Sequence, residues 1–150
     1  MRRTGASGGF GDPGAMAYEY DDDPARIDRD VVWSFLSTEA YWARWRDRAD
    51  VDAQLDAAWR VVGAYDAGGR MVGFARAVSD GVSFGYLADV FVLPGDRGRG
   101  IGSGLVSAMV DRGAGARFRW LLHTADAHDL YRRHGFAEPD ATLLERPARR

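Results

Sequence analysis

The apolar positions change their period twice between Asp28 and Val110. Val31, Val32, Phe35 and Leu36 recur at helical spacing behind Asp28 and Asp30, either of which suits the cap of a helix start. Val51, Leu55 and Ala58 repeat that spacing after Asp50 and predict a second helix. From Trp59 the pattern turns to strands: "WRVVGAYD", the turn "AGG", "RMVGFARAVSD", then "VSFGYLADVFVLP". Three neighbouring antiparallel strands are the economical reading. Ile101, Leu105, Val106 and Met109 return to one helix face, and that helix is expected to end near Gly113. "FRWLLH" then reads as a buried strand, "DAHDLYRR" as a short helix ending before Gly135, and "ATLLERP" as a last strand. Ahead of the first helix, "AMAYEY" predicts a short first strand and "DDDPARIDRD" an acidic turn. No internal repeat interrupts this order.

Length and composition narrow the class. A chain of 150 residues with 46% apolar and 12% aromatic side chains is one globular domain with a sizeable core. Residues 1–14, rich in Gly, Ser and Pro without apolar periodicity, are expected to form a flexible arm ahead of a domain spanning 15–147. No run approaches the roughly 20 apolar residues of a membrane span, and the N-terminus lacks the apolar segment of a signal peptide. A cytoplasmic protein without a membrane partner is expected. With no cysteine, disulfides, zinc–thiolate sites and thiol nucleophiles are excluded. All twenty basic residues are arginine, which removes Schiff-base lysine chemistry and the Walker lysine. A net charge of -2 gives no global attraction to nucleic acid, so any anion must be recognised locally. His123, His128 and His134 lack the spacing of a metal-binding helix, and no metal is expected.

The local chemistry concentrates in "DRGRGIGSGL", residues 96–105, where Gly98, Gly100, Gly102 and Gly104 alternate with Arg97, Arg99, Ile101 and Ser103 at the start of the third helix. A helix start offers unpaired N–H groups and the positive end of the dipole, and glycines let a bulky anion approach the backbone. The stretch therefore reads as a diphosphate cradle. The dinucleotide fingerprint fails on glycine spacing, and the Walker pattern fails because Ile101 stands where its lysine would be. What remains is R-x-x-G-x-G, in Arg97, Gly100 and Gly102.

That constellation resembles the coenzyme A signature of the GNAT superfamily of N-acetyltransferases. A second motif, "AHDLYRRHGF" from Ala127 to Phe136, is similar to the superfamily's A-x-x-L-Y-x-x-x-G-F, about 30 residues after the first. The likeness extends over roughly residues 15 to 147, with Thr124 standing where members often carry asparagine. It implies an α+β GNAT fold: a mixed, mostly antiparallel sheet of six to seven strands, about four flanking helices, and a splay between the fourth and fifth strands. It also implies an acyltransferase that moves the acetyl group of its cosubstrate acetyl-coenzyme A to the amine of a small molecule, by direct attack. Val90, Phe91 and Val92 would line the pantetheine arm, and Arg97, Gly98, Arg99, Gly100, Ile101, Gly102 and Ser103 would hold the diphosphate. Tyr131 matches the tyrosine that protonates the departing thiolate.

Other assignments stay open. Asp89 lies inside an apolar strand, where an unpaired carboxylate is costly; it is either a general base or a structural group that accepts N–H bonds at the splay or pairs with Arg76. His123 and water are the other base candidates. Tyr41, Trp42 and Trp45, in "YWARWR", either select an aromatic or acidic acceptor or pack on the sheet. A protein N-terminus or a biosynthetic intermediate taking another acyl group is the alternative substrate, and a non-catalytic acetyl-coenzyme A sensor the alternative role. Assembly as a homodimer is also left open.

Overall fold

In the computed structural model, which describes residues 17–149, the strands lie side by side in chain order. β1 (Glu19–Asp21), β2 (Arg60–Tyr65), β3 (Met71–Ser79) and β4 (Phe84–Val92) pair antiparallel, and β5 (Arg119–Leu122) joins β4 in parallel. The helices are α1 (Arg29–Thr38), α2 (Arg48–Ala57), α3 (Ile101–Val110) and α4 (His128–Arg132). The arm expected over residues 1–14 lies outside the described residues. No helix among the described residues is long and apolar enough to cross a membrane.

Both faces of β2 and β3 are covered, which is why their sequences run almost continuously apolar. Val61, Phe74 and Phe91 pack with α1 and α2, and Phe91 stacks on Phe35 with ring centroids 4.0 Å apart. Val62, Ala75 and Leu87 pack with α3, whose Leu105, Val106 and Met109 are fully buried. Asp28 caps α1 by accepting from the N–H groups of Asp30 and Val31. α2 begins earlier than its apolar spacing predicts, because Asp47 and Asp50 form a reciprocal capping box. Such a cap is worth about 1 kcal/mol, enough to fix the first turn.

Two features of β4 position the site. Opposite Arg76 and Ala77 of β3 stand Asp89 and Leu87, so Ala88 is an extra, unpaired residue: a β-bulge. The bulge resets the alternation of faces. Leu87 points to the α3 side, whereas Phe91 points to the α1 side. The ladder to β5 runs from Phe84↔Arg119 to Leu87↔Leu122 and stops there, so among the described residues Ala88 to Val92 keep β3 on one edge and no strand on the other. The strands part where the bulge begins.

The described residues form five strands rather than six or seven. "ATLLERP" does not make the expected last strand: Asp140 accepts from the Thr142 N–H and turns the chain, and Leu144 is 91% exposed. Its apolar pair Leu143 and Leu144 is consecutive rather than alternating, and Pro147 has no N–H to give a ladder. β5 is left as the sheet's edge among the described residues.

Candidate active site

β4 leads through a 3₁₀ turn, Pro94–Asp96, into the glycine-rich stretch. The buried Asp96 carboxylate accepts from Arg70 Nη2 at 3.1 Å and ties this turn to the β2–β3 hairpin. Gly98 and Gly100 both have φ +78, a conformation that a side chain would strain, and the space where a Cβ would stand is open for 4 Å around each. α3 starts without a side-chain cap, and its first main-chain bond runs from the Gly104 N–H to the Gly100 carbonyl. The N–H groups of Ile101, Gly102 and Ser103 thus have no intrahelical acceptor. Arg97 and Arg99 are exposed beside them. Free donors, a dipole end, two cations and open space fit a diphosphate. The residues contribute differently: Ile101 has a buried side chain and offers only its N–H, while Ser103 Oγ is engaged 2.8 Å from His134 Nε2. Gly104 is a packing glycine, since a Cβ there would overlap the Tyr20 ring.

The unpaired edge of β4 runs from Val92, beside this cradle, back to Ala88, and the parting of β4 from β5 along it is the slot. Gly102 marks its beginning: a Cβ there would touch both Leu130 of α4 and Val92 of β4. Val90 and Val92 turn their side chains to the α3 core and leave main-chain groups along the edge. Phe91 offers the edge nothing: its side chain is locked in the opposite core and, in this register, its main-chain groups pair with Phe74 of β3. The Thr124 hydroxyl accepts from the Ala127 N–H at 3.0 Å and so shapes the turn into α4. Tyr131, edge-on to Phe136, lines the cavity beside the slot, and its hydroxyl has no hydrogen-bond partner among the described residues. Burial, followed by the negative charge of Asp126 and the neighbouring Tyr41, pushes its hydroxyl up to about 12.

Past Tyr131 the slot opens into a cavity of about 640 Å³ between the β4 edge, the turn after β5 and the α1–α2 connection. Tyr41, Trp42 and Trp45 all line it. The Tyr41 hydroxyl accepts from the Ala125 N–H, bridging the mouth, and its ring meets Trp42 edge-on at 5.1 Å. Trp45 is half-exposed at the rim. Trp42 points inward and donates from Nε1 to Asp89 Oδ1 at 2.9 Å.

Asp89 is the hub of a buried cluster. Oδ1 also accepts from Arg46 Nη2 at 2.9 Å; Oδ2 accepts from Arg46 Nη1 at 3.0 Å and Arg76 Nε at 2.9 Å. Burial alone would raise its pKa, but the Arg46 hydrogen bonds and the charges of Arg76 and Arg46 outweigh it and hold the carboxyl below its ordinary value. All four acceptor positions are filled, which leaves no lone pair directed at a substrate. His123 is placed differently. It lines the cavity wall, its Nδ1 lies 2.7 Å from the Tyr86 hydroxyl, and its Nε2 meets the Glu145 carboxylate. Since a carboxylate only accepts, Nε2 carries the proton and Nδ1 accepts from Tyr86.

Arg46, Gln54, Tyr86 and Glu145 join the site without having been marked by a motif. Arg46 lies in "YWARWR", yet nothing local separates it from the exposed Arg44. Glu145 lies in the segment expected to be a strand, and Ala88 gives a bulge no compositional signal.

Comparison with known proteins agrees with this geometry. Residues 57–138, from the end of α2 to just past α4, match the acetyltransferase (GNAT) domain. A GNAT-family protein of Xanthomonas campestris pv. campestris, described as a candidate acetyltransferase, has a crystal structure 36% identical in sequence with a TM-score of 0.83, covering 90% of this chain and 96% of that one. An aminoglycoside N-acetyltransferase crystallised with coenzyme A is 20% identical and shares the fold, at a TM-score of 0.57 over 90% of this chain and 97% of that one. A candidate acetyltransferase of Gibberella zeae is 32% identical over 104 residues, and the match takes in 57% of this chain and 58% of that protein. The parted strands, the glycine cradle and the family match over more than half of the sequence converge on one conclusion: the chain belongs to the GNAT family of acetyltransferases.

Proposed function

We propose that the protein transfers the acetyl group of acetyl-coenzyme A to a primary amine of a small molecule, by direct attack in a ternary complex. One observation carries this reading: the unpaired edge of β4 runs from the polar cavity, at Ala88 to Val90 beside Tyr131, to Val92, next to the uncapped start of α3 at Gly102. When bound, acetyl-coenzyme A supplies the acyl group as an activated thioester. The Ile101, Gly102 and Ser103 N–H groups, with Arg97 and Arg99, hold the diphosphate, and the free edge of β4 at Val90 and Val92 orients the arm as an added strand would. Tyr131, kept protonated far above neutral pH, presents its O–H to the departing sulfur.

The attacking amine must lose a proton. Tyr86 and His123 form the route: the Tyr86 oxygen takes the ammonium proton while its own proton passes to His123 Nδ1, and Glu145 balances the resulting imidazolium. Asp89 serves as an anchor for Arg46, Arg76 and Trp42 rather than as the base. The test is thiol release from acetyl-coenzyme A over a panel of small primary amines, with the acetylated product identified by mass spectrometry. Turnover that requires both the amine and Tyr131 is expected. Tight coenzyme binding with no acetylated amine from any member would replace this reading with that of a sensor.

A further inference from the structure

One cation in the cavity is only partly used. Arg76 stands on β3 opposite Asp89 and is 7% exposed. Its Nε donates to Asp89 Oδ2, and no other hydrogen bond from its side chain exists within the described residues. Nη1 and Nη2 are nevertheless not sealed away: among the described residues the buried side-chain atoms without a partner are Arg46 Nε and the Tyr65 hydroxyl, and Arg76 lines the cavity. The unengaged half of the guanidinium is therefore the half that meets the open space.

Charge points the same way. Arg46, Arg76 and Asp89 are all at least nine-tenths buried, and two cations share one carboxylate whose acceptor positions are full. Gln54, which accepts from Arg46 Nη1 at 2.7 Å, adds no charge. The floor thus keeps one uncompensated positive charge, a costly arrangement unless an anion completes it. The negative groups of the cavity region, Asp126 and the Glu145 paired with His123, belong instead to the wall carrying Tyr131 and Tyr86. The cavity is cationic at its floor and anionic beside the proposed reaction centre.

We infer that the paired Nη donors of Arg76 bind a carboxylate on the acceptor, so that the amine accepted is one end of an amino acid. This rests on the acetyl-transfer reading for the identity of the bound molecule as acceptor. A guanidinium fork matches a planar carboxylate with two parallel bonds. With its carboxylate on the floor, the molecule turns its ammonium toward Asp126, Tyr86 and the slot. An amide or a decarboxylated amine of the same shape leaves the Arg76 donors unpaired and is discriminated against.

The experiment compares α-, β- and γ-amino acids with their amides in the thiol-release assay, for the wild type and for Arg76→Gln and Arg76→Lys. In parallel, the N-acetyl derivatives of the same acids are titrated calorimetrically into the protein carrying coenzyme A. For at least one pair the acid is expected to exceed its amide by about tenfold or more in kcat/KM. Arg76→Gln should bring that ratio near one by lowering kcat/KM for the acid far more than for its amide, which a merely structural role would not do. Arg76→Lys, which keeps the charge without the fork, serves if the glutamine variant melts early, and should retain a reduced preference. If nothing is acetylated but an N-acetyl acid binds and the variants release it, the carboxylate site stands and the acetyl-transfer reading falls. Amines acetylated with no preference for the acid overturn the carboxylate site alone, and so does failure of every acid both to react and to bind.

Discussion

Replacing Asp89 by Asn tests how the site is held together. The carboxylate receives four bonds of 2.9 to 3.0 Å from Trp42, Arg46 and Arg76. In the variant one oxygen becomes an NH₂ group, so a donor faces donors on either side, and two buried guanidinium groups lose their shared counterion. Removing one partner of a buried ion pair costs about 3–5 kcal/mol. That is a large part of the about 5–15 kcal/mol that holds a domain folded. For a chain of this size each kcal/mol lowers the melting temperature by about 2–4 °C, so a fall of about 6–20 °C is expected at pH 7. The pH dependence has a definite sign. A carboxyl whose folded pKa lies below the unfolded value of about 3.9 contributes stability that is fully present above that value and is lost as pH falls through the folded pKa. The gap between wild type and variant should therefore be widest near neutrality and shrink below about pH 4. Thermal and urea unfolding followed by circular dichroism measure both effects. A melting temperature within about 2 °C of wild type, or a gap that widens toward acid, would refute the cluster's anchoring role.

Gly100→Leu should weaken coenzyme A binding by more than about tenfold in calorimetry, because the side chain enters the open space over the α3 N–H groups; the left-handed backbone adds a stability cost of only about 1–2 kcal/mol. Tyr131→Phe should lower kcat by about 10 to 1000 fold with coenzyme affinity unchanged, since a thiolate of pKa near about 8.5 already leaves fairly well. A wild-type rate with chemistry limiting would give the proton to water. His123→Gln should lower kcat/KM by about 10²–10⁴ with coenzyme affinity unchanged; a wild-type value would remove His123 from the route.

The elements legible in the sequence are those whose signals are local. α1 and α3 announce themselves by period, the three central strands by apolar runs separated by turns, and the cradle by glycines and arginines packed into one helix start. α2 began early because the bond between Asp47 and Asp50 outranks the apolar spacing, and the pattern Asp-x-x-Asp was there to be read. The last strand failed because three apolar positions ending in Glu145, Arg146 and Pro147 supply β propensity without a buried face. What could not be read were contacts across the fold. Arg76 is legible as a partner of Asp89, since a hairpin can bring them opposite each other. Arg46 reaches Asp89 from a connection 43 residues away, and only the assembled core brings it there.

The bulge at Ala88 links these observations. Without an extra residue Asp89 would share the face of Leu87 and point into the α3 core, among Ile101, Leu105 and Val106, where no cation waits for it. With it, Asp89 turns to the α1 face, where Arg46 and Trp42 arrive from the α1–α2 connection and draw that segment over the cavity. The same residue ends the β4–β5 ladder, so the position that aims the carboxylate also starts the slot. Slot and acceptor cavity therefore depend on one backbone irregularity. Two buried arginines on one carboxylate would be a poor way to stabilise a core, and apolar side chains of similar volume would serve folding as well or better. Their presence at the end of the slot is better explained by what Arg76 still has to offer there than by stability.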